Sequence, residues 1–119
     1  MNIEELRVFC LTLKGTEETF PFGEQTLVFK VMGKAYCLVG LDAHPFQFNL
    51  KCDPEKAIEL REEYSGVRPG FHMNKKHWNT VEIDGSFDDA KAKEWIVDSY
   101  NLVVAGLTRK VKQELEQIP

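Results

Sequence analysis

Hydrophobic and polar residues alternate most cleanly in residues 46–51, where three large apolar side chains are separated by polar ones. This alternation predicts a half-buried strand, with one face in the core and one face in water, as in an antiparallel sheet. Three other segments predict strands by alternation or by a short apolar run between turn residues. They are residues 26–31, 35–41 and 79–83.

Apolar residues at helical spacing predict four helices. Asn2, with Glu5 three positions later, has the pattern of a capping box at the start of the first helix. The second begins at Asp53–Glu55, an N-cap residue followed by proline and an acid. Ser86 is the expected cap of the longest helix, about residues 87–107, and a short final helix follows.

The remaining segments are predicted to be irregular. Residues 16–23 contain Pro and Gly and predict a loop, and residues 68–70 predict a turn. The fold class is therefore α+β, with an antiparallel sheet of about four or five strands packed against helices on one side. We expect a single domain over 1–119, with its core in about 3–107 and a short helical tail at 108–119.

The composition is that of an ordinary globular domain. The 119 residues are 43% hydrophobic and 29% charged, enough for a core of its own. No segment approaches the roughly 18 consecutive apolar residues of a membrane span, and the acidic start Met1–Glu5 predicts no secretory signal. Cys10, Cys37 and Cys52 form no C-x-x-C pair. We therefore expect reduced thiols, a cytoplasmic location and no membrane partner.

Charge is distributed unevenly along the chain. The net charge is −4, yet residues 64–81 carry +3 and contain no carboxylate, so the remainder carries −7. A basic segment in an acidic protein can bind an anion on one face while the rest of the surface repels it. The alternative is that a few basic residues fall together by chance on a solvated loop.

Recognisable catalytic and metal-binding patterns are missing from the sequence. It contains no glycine-rich phosphate loop, no G-x-S-x-G and no H-E-x-x-H. His72 and His77 are five positions apart, which places them on opposite faces of a strand, and two lysines lie between them. The adjacent acidic pairs are typical of solvated surface. The sequence thus predicts no enzyme activity, no metal site and no cofactor.

Several segments of the chain resemble the MmcQ/YjbR family, in order and over about residues 3–107. The most distinctive block is RPGFHMNKKHWNTV, residues 68–81, and the other matching segments are 26–31, 49–55 and 98–103. This resemblance implies a compact α+β domain similar to bacterial frataxin and to type III secretion chaperones. Members of the family are described as DNA-binding proteins with a double-wing arrangement of strands and loops.

We therefore expect a non-enzymatic DNA-binding protein that uses about residues 66–80. Arginine and lysine would contact phosphates, asparagine would contact base edges or backbone, and an aromatic ring would stack on a base. The alternative is that Trp78 and Phe71 anchor the loop in the core. The candidate site residues are Arg68, His72, Asn74, Lys75, Lys76, His77 and Trp78.

A second hypothesis is a protein-interaction or small-ligand module with no role in DNA binding. Its contact surface would be the solvated sheet face that carries Gln47, Asn49 and Lys51, or the Phe20–Phe22 loop. Exposed aromatic side chains in that loop would favour this hypothesis, because large apolar groups at a surface usually have partners.

Overall fold

The computed structural model describes residues 1–119 as one sheet of six antiparallel strands with four helices. In the sheet the strands lie in the order β1-β2-β3-β4-β6-β5. The elements along the chain are α1 (Ile3–Leu11), β1 (Thr16–Thr19), β2 (Thr26–Val31), β3 (Lys34–Gly40), β4 (Gln47–Lys51), α2 (Pro54–Glu63), β5 (Val67–Pro69), β6 (Trp78–Glu82), α3 (Asp89–Ala105) and α4 (Arg109–Glu116).

The helices cover one face of the sheet, as the sequence predicts. Alternate residues of β2 and β4, such as Phe29 and Phe48, are buried on this face. Helix α3 lies over β2, β3 and β4, while α1 contacts β1 and α2 contacts β5. Trp95 and Ile96 of α3 belong to the same core cluster. The predicted α+β fold with a one-sided arrangement of helices is confirmed.

The sheet has six strands, whereas the sequence predicts four or five. The difference arises at the two edges, where the sequence predicts irregular segments and the structure has strands. Residues 16–19 pair with β2, and residues 67–69 pair with β6. Both edge strands are short, and neither has an alternating apolar pattern.

The prediction that Ser86 caps α3 was also wrong. Asp88 is the N-cap residue, and its side chain accepts a hydrogen bond from the Lys91 amide at 2.8 Å.

A tight hairpin and a bulge set the geometry of the central strands. Met32 and Gly33 have φ angles of 49° and 80°, which fits the two-residue turn that matches the twist of a hairpin. Register between β2 and β3 shifts after Phe29, so that Lys30 pairs with Ala35 and Tyr36 is left as an extra residue. The bulge places Tyr36 in the core, where its ring packs edge-on against another tyrosine at 5.4 Å.

Ser99 of α3 joins β3 to β4 beyond the bulge. Its hydroxyl donates to the Tyr36 carbonyl at 2.6 Å and accepts from the Lys51 amide at 2.9 Å. The direct pairing of these two strands is confined to two residue pairs. A buried serine thus satisfies two backbone groups that the strand ladder leaves free.

All three cysteines are free thiols. Cys10 and Cys37 are fully buried in the core, and Cys52 is half-buried. Burial raises the pKa of the Cys37 thiol and, to a smaller extent, that of Cys52, which makes both poor nucleophiles. None of the four helices has the length and apolar character needed to cross a membrane.

We predict that Ser99→Ala lowers the free energy of unfolding by about 1–3 kcal/mol, because a buried amide and a buried carbonyl lose their partner. Urea denaturation would measure this as a lower midpoint with an unchanged slope. Ser65→Ala is the matched control. Ser65 is exposed, and water can replace its hydrogen bond to Asp84. A loss of under about 0.5 kcal/mol for Ser99→Ala would contradict the prediction.

Candidate ligand-binding groove

The face of the sheet opposite the helices carries a long open groove. It has a volume of about 850 Å³ and crosses β2, β3, β4 and β6. Two loops form its walls, residues 20–25 between β1 and β2 and residues 70–77 between β5 and β6. Asp42 and Ala43, which follow β3, and Gly33 of the β2–β3 turn also line the groove.

The floor of the groove is apolar at its centre, and aromatic residues stand at its walls. Val28 and Leu38 lie side by side in the paired strands β2 and β3. Val28 is 1% exposed and Leu38 is half-buried, so Leu38 presents most of this surface. Phe22 on one wall is 73% exposed, and Phe71 on the other is 63% exposed. The Phe71 ring packs against the imidazole of His72, with 4.0 Å between ring centroids. The groove therefore offers a ligand apolar contact on three sides.

A buried hydroxyl fixes one wall relative to the floor. Thr80 of β6 accepts a hydrogen bond from the Phe71 amide at 3.0 Å and donates one to Asn49 Oδ1 at 2.5 Å. The oxygen of Asn49 therefore faces this hydroxyl, and its amide nitrogen has no hydrogen-bond partner in the protein. One threonine thus positions both the loop and a hydrogen-bond donor of the groove.

Arg68 orients a second carboxamide in the same row. Its Nη1 donates to Glu82 Oε1 at 3.0 Å, and its Nη2 donates to Gln47 Oε1 at 2.8 Å. A guanidinium has no acceptor, so the oxygen of Gln47 must face it. The amide nitrogen of Gln47 has no partner in the protein. Gln47 and Asn49 are two positions apart on one strand, so both lie on the groove face.

The two ends of the groove differ in charge. Lys30 and Lys34 line the end beside the β2–β3 hairpin. Asp42 lies beyond the other end of β3, about 20 Å away for a strand of this length. Glu17 is opposite Lys30 on β1, but no ion pair within 4 Å involves either lysine. The groove thus has one basic end with free ammonium groups.

Loop 70–77 is hydrogen-bonded to α2, although most of it is exposed. Arg61 of α2 donates to Asn79 Oδ1 at 2.7 Å and also contacts the carbonyls of Lys75 and Trp78. Gly70 lies so close to β6 that a Cβ placed there would be 2.9 Å from Trp78 Cβ. His72 has a φ of 59°, a conformation that non-glycine residues rarely adopt.

Two of the three cationic side chains predicted to bind DNA already have partners in the protein. Arg68 forms an ion pair with Glu82. Glu82 lies one residue beyond the segment 64–81, which contains no carboxylate. Lys75 donates from its ammonium group to the Gly70 carbonyl at 2.9 Å. Lys76 is exposed and its ammonium has no partner. His72 lines the groove.

The other three predicted residues have structural contacts. Asn74 holds the turn, because its Oδ1 accepts from the Lys76 amide and its carbonyl accepts from the Trp78 amide. The carbonyl of His77 accepts from the Cys52 amide at 2.8 Å. Trp78 is half-buried on β6, opposite Lys51. Phe71, the other candidate for stacking, is exposed rather than anchored in the core.

The second hypothesis names Gln47, Asn49 and Lys51 or the Phe20–Phe22 loop. Gln47, Asn49, Pro21 and Phe22 line the groove, whereas Lys51 and Phe20 do not. Sequence reasoning missed Val28, Leu38 and Thr80 as lining residues. A signal for Val28 was present, since it is an apolar residue between Thr26 and Lys30 on the polar side of β2. The structure contains no group of three or more His, Cys, Asp or Glu side chains that could hold a metal ion.

Solved structures include close matches to this fold. The Deinococcus radiodurans protein DR2400 superposes with a TM-score of 0.89 at 40% identity, over 99% of this chain and 89% of that one. A Pseudomonas syringae protein gives a TM-score of 0.72 at 27% identity, over 86% of this chain and 98% of that one. The overall fold is therefore shared with experimentally determined proteins.

Sequence comparison shows similarity to two Escherichia coli proteins. The chain is 40% identical to YbdF of strain O157:H7 over 108 residues, which is 90% of this chain and 88% of that protein. It is 32% identical to YjbR of strain K12 over 118 residues, covering 99% and 100% of the two chains. The model of the YjbR family matches residues 11–102. The protein belongs to the YjbR family.

Proposed function

We propose that this protein is a non-enzymatic binding module that takes a small, largely apolar organic molecule into the groove on the open face of its sheet. The observation that carries the proposal is the groove itself, with a volume of about 850 Å³ and an apolar floor between two aromatic walls. Ligand sites in proteins commonly have volumes of about 300–1,000 Å³, with mostly apolar linings and a few oriented polar groups.

The exposure of the wall residues supports this proposal. Phe20 and Phe22 are 51% and 73% exposed, and Phe71 on the facing loop is exposed as well. Large apolar side chains that cluster at a surface usually contact a partner. The polar lining is also ordered in advance, since Thr80 and Arg68 fix the amides of Asn49 and Gln47. Such preorganisation lowers the entropy lost on binding.

We expect the neutral probe 2-naphthylacetamide to bind in this groove. In an NMR titration the methyl signals of Val28 and Leu38 should shift together, because a ring placed between the walls lies over both. Leu38→Gln should weaken binding by about tenfold, since it replaces apolar contact at the centre of the floor with a polar group.

Ile58→Gln is the matched control for this variant. Ile58 is an exposed apolar residue on α2, on the helix-covered side of the sheet. Its replacement should leave the affinity for the probe unchanged. The proposal fails if saturating probe shifts no groove signal, or if both variants weaken binding equally.

DNA binding is a second candidate, favoured by the exposed loop 70–77. Lys76 has a free ammonium group, Phe71 offers an exposed ring for stacking, and the segment contains no carboxylate. Arg68 and Lys75 already have partners in the protein. To contact a phosphate, each of these side chains would have to use a remaining donor or give up one of its present hydrogen bonds.

Contact with about three phosphates predicts that log K falls with log salt at a slope near −2.7, a loss of roughly fortyfold between about 50 and about 200 mM salt. NMR titration with a short duplex would measure this slope. Lys76→Gln should reduce its magnitude by about 0.9, whereas the control Lys110→Gln on α4 should not. An absence of shifts in residues 68–80 at about 50 mM salt would exclude DNA binding by this loop.

A further inference from the structure

The polar groups of the groove are mainly donors. The amides of Gln47 and Asn49 have their oxygens engaged by Arg68 and Thr80, so each presents an NH₂ group without a partner. The ammonium groups of Lys30 and Lys34 add further unpaired donors. The charged acceptor among the lining residues is Asp42. The free NH₂ and ammonium groups of this lining favour a ligand that is rich in acceptors.

These donors are arranged in order along the groove. Asn49 lies beside Leu38 in the register of β3 and β4, at the centre of the floor. Lys30 lies two residues beyond Val28 on β2, towards the hairpin, and its side chain is only half-exposed. Asp42 lies at the far end. A molecule lying along the floor would meet apolar contact at its middle and positive charge at one end.

We propose that the ligand is an amphipathic carboxylate whose apolar body lies over Val28 and Leu38 and whose acid group is held at the end lined by Lys30 and Lys34. This inference rests on the proposed function and specifies its ligand class. The carboxylate would accept hydrogen bonds from lysine without breaking an existing ion pair, because neither lysine has one. Asp42 would repel the same group at the other end and so fix the direction of binding.

Two isosteric probes test the inference. 2-Naphthylacetate carries a carboxylate where 2-naphthylacetamide carries a neutral amide, and the ring systems are identical. We expect the acetate to bind about five- to tenfold more tightly at low salt, since charge-assisted hydrogen bonds are the stronger kind. This preference should shrink as salt is raised, because the lysines are partly exposed.

Lysine variants locate the charge that causes the preference. In Lys30→Gln/Lys34→Gln the acetate should lose its advantage, while the acetamide should bind as it does to the unchanged protein. Binding of the acetamide also reports that the variant is folded. Lys76→Gln removes one exposed lysine outside the groove lining and should leave both affinities unchanged.

The outcomes separate this inference from the function on which it rests. If neither probe shifts groove signals, the proposed function fails, and the inference fails with it. If both bind equally, or if the acetate keeps its advantage in the double variant, the groove binds apolar molecules but the inference about the carboxylate is overturned. If sedimentation shows a dimer that must dissociate before either probe binds, the groove is an interface between two copies and the inference is likewise overturned.

Discussion

The placement of all four helices on one face of the sheet is the constraint on which the rest of the structure depends. It allows a single core between α3 and the central strands, and it leaves the opposite face without a helical layer. An uncovered sheet face that carries Val28 and Leu38 needs partial cover from elsewhere. Loops 20–25 and 70–77 supply that cover at the sides, and the space left between them is the groove. The groove is thus a consequence of the layer architecture.

The elements that could be predicted from sequence were those whose signal is local. The bounds of β2, the cap at Asn2 and the helix start at Asp53 all follow from alternation or capping chemistry within a few residues. The edge strand β1 could not be predicted, because Thr-Glu-Glu-Thr has no apolar alternation and forms a strand only by pairing with β2. The pattern of residues within β1 does not report this pairing, because strand formation here depends on the neighbouring strand and not on the residues of β1 alone.

The candidate site shows the same division between local and long-range information. A count of charges identified the basic segment, but it could not show that Arg68 pairs with Glu82 and Gln47, or that Lys75 holds the Gly70 carbonyl. Glu82 and Gln47 are close to Arg68 because antiparallel pairing brings β4, β5 and β6 together. Gly70 is close to Lys75 because the loop between them turns back. The burial of Thr80 likewise depends on a loop folding over the sheet. The count of charges therefore identified the loop that forms one wall of the groove. The groove itself could be recognised only once the fold had placed that loop beside the sheet.

The same polar contacts serve the fold and shape the groove. Thr80 satisfies the Phe71 amide, and Arg68 is neutralised by Glu82, so each contact has a structural reason apart from any ligand. Thr80 and Arg68 also donate hydrogen bonds to the oxygens of Asn49 and Gln47, whose NH₂ groups have no partner in the protein. The preference for acceptors that we propose for the groove would therefore follow from contacts that stabilise the loop and the sheet edge. On the proposed function, Thr80 and Arg68 would thus link ligand binding to stability, because each also holds the loop or the sheet edge, whereas Lys30 makes no side-chain hydrogen bond or ion pair within the protein.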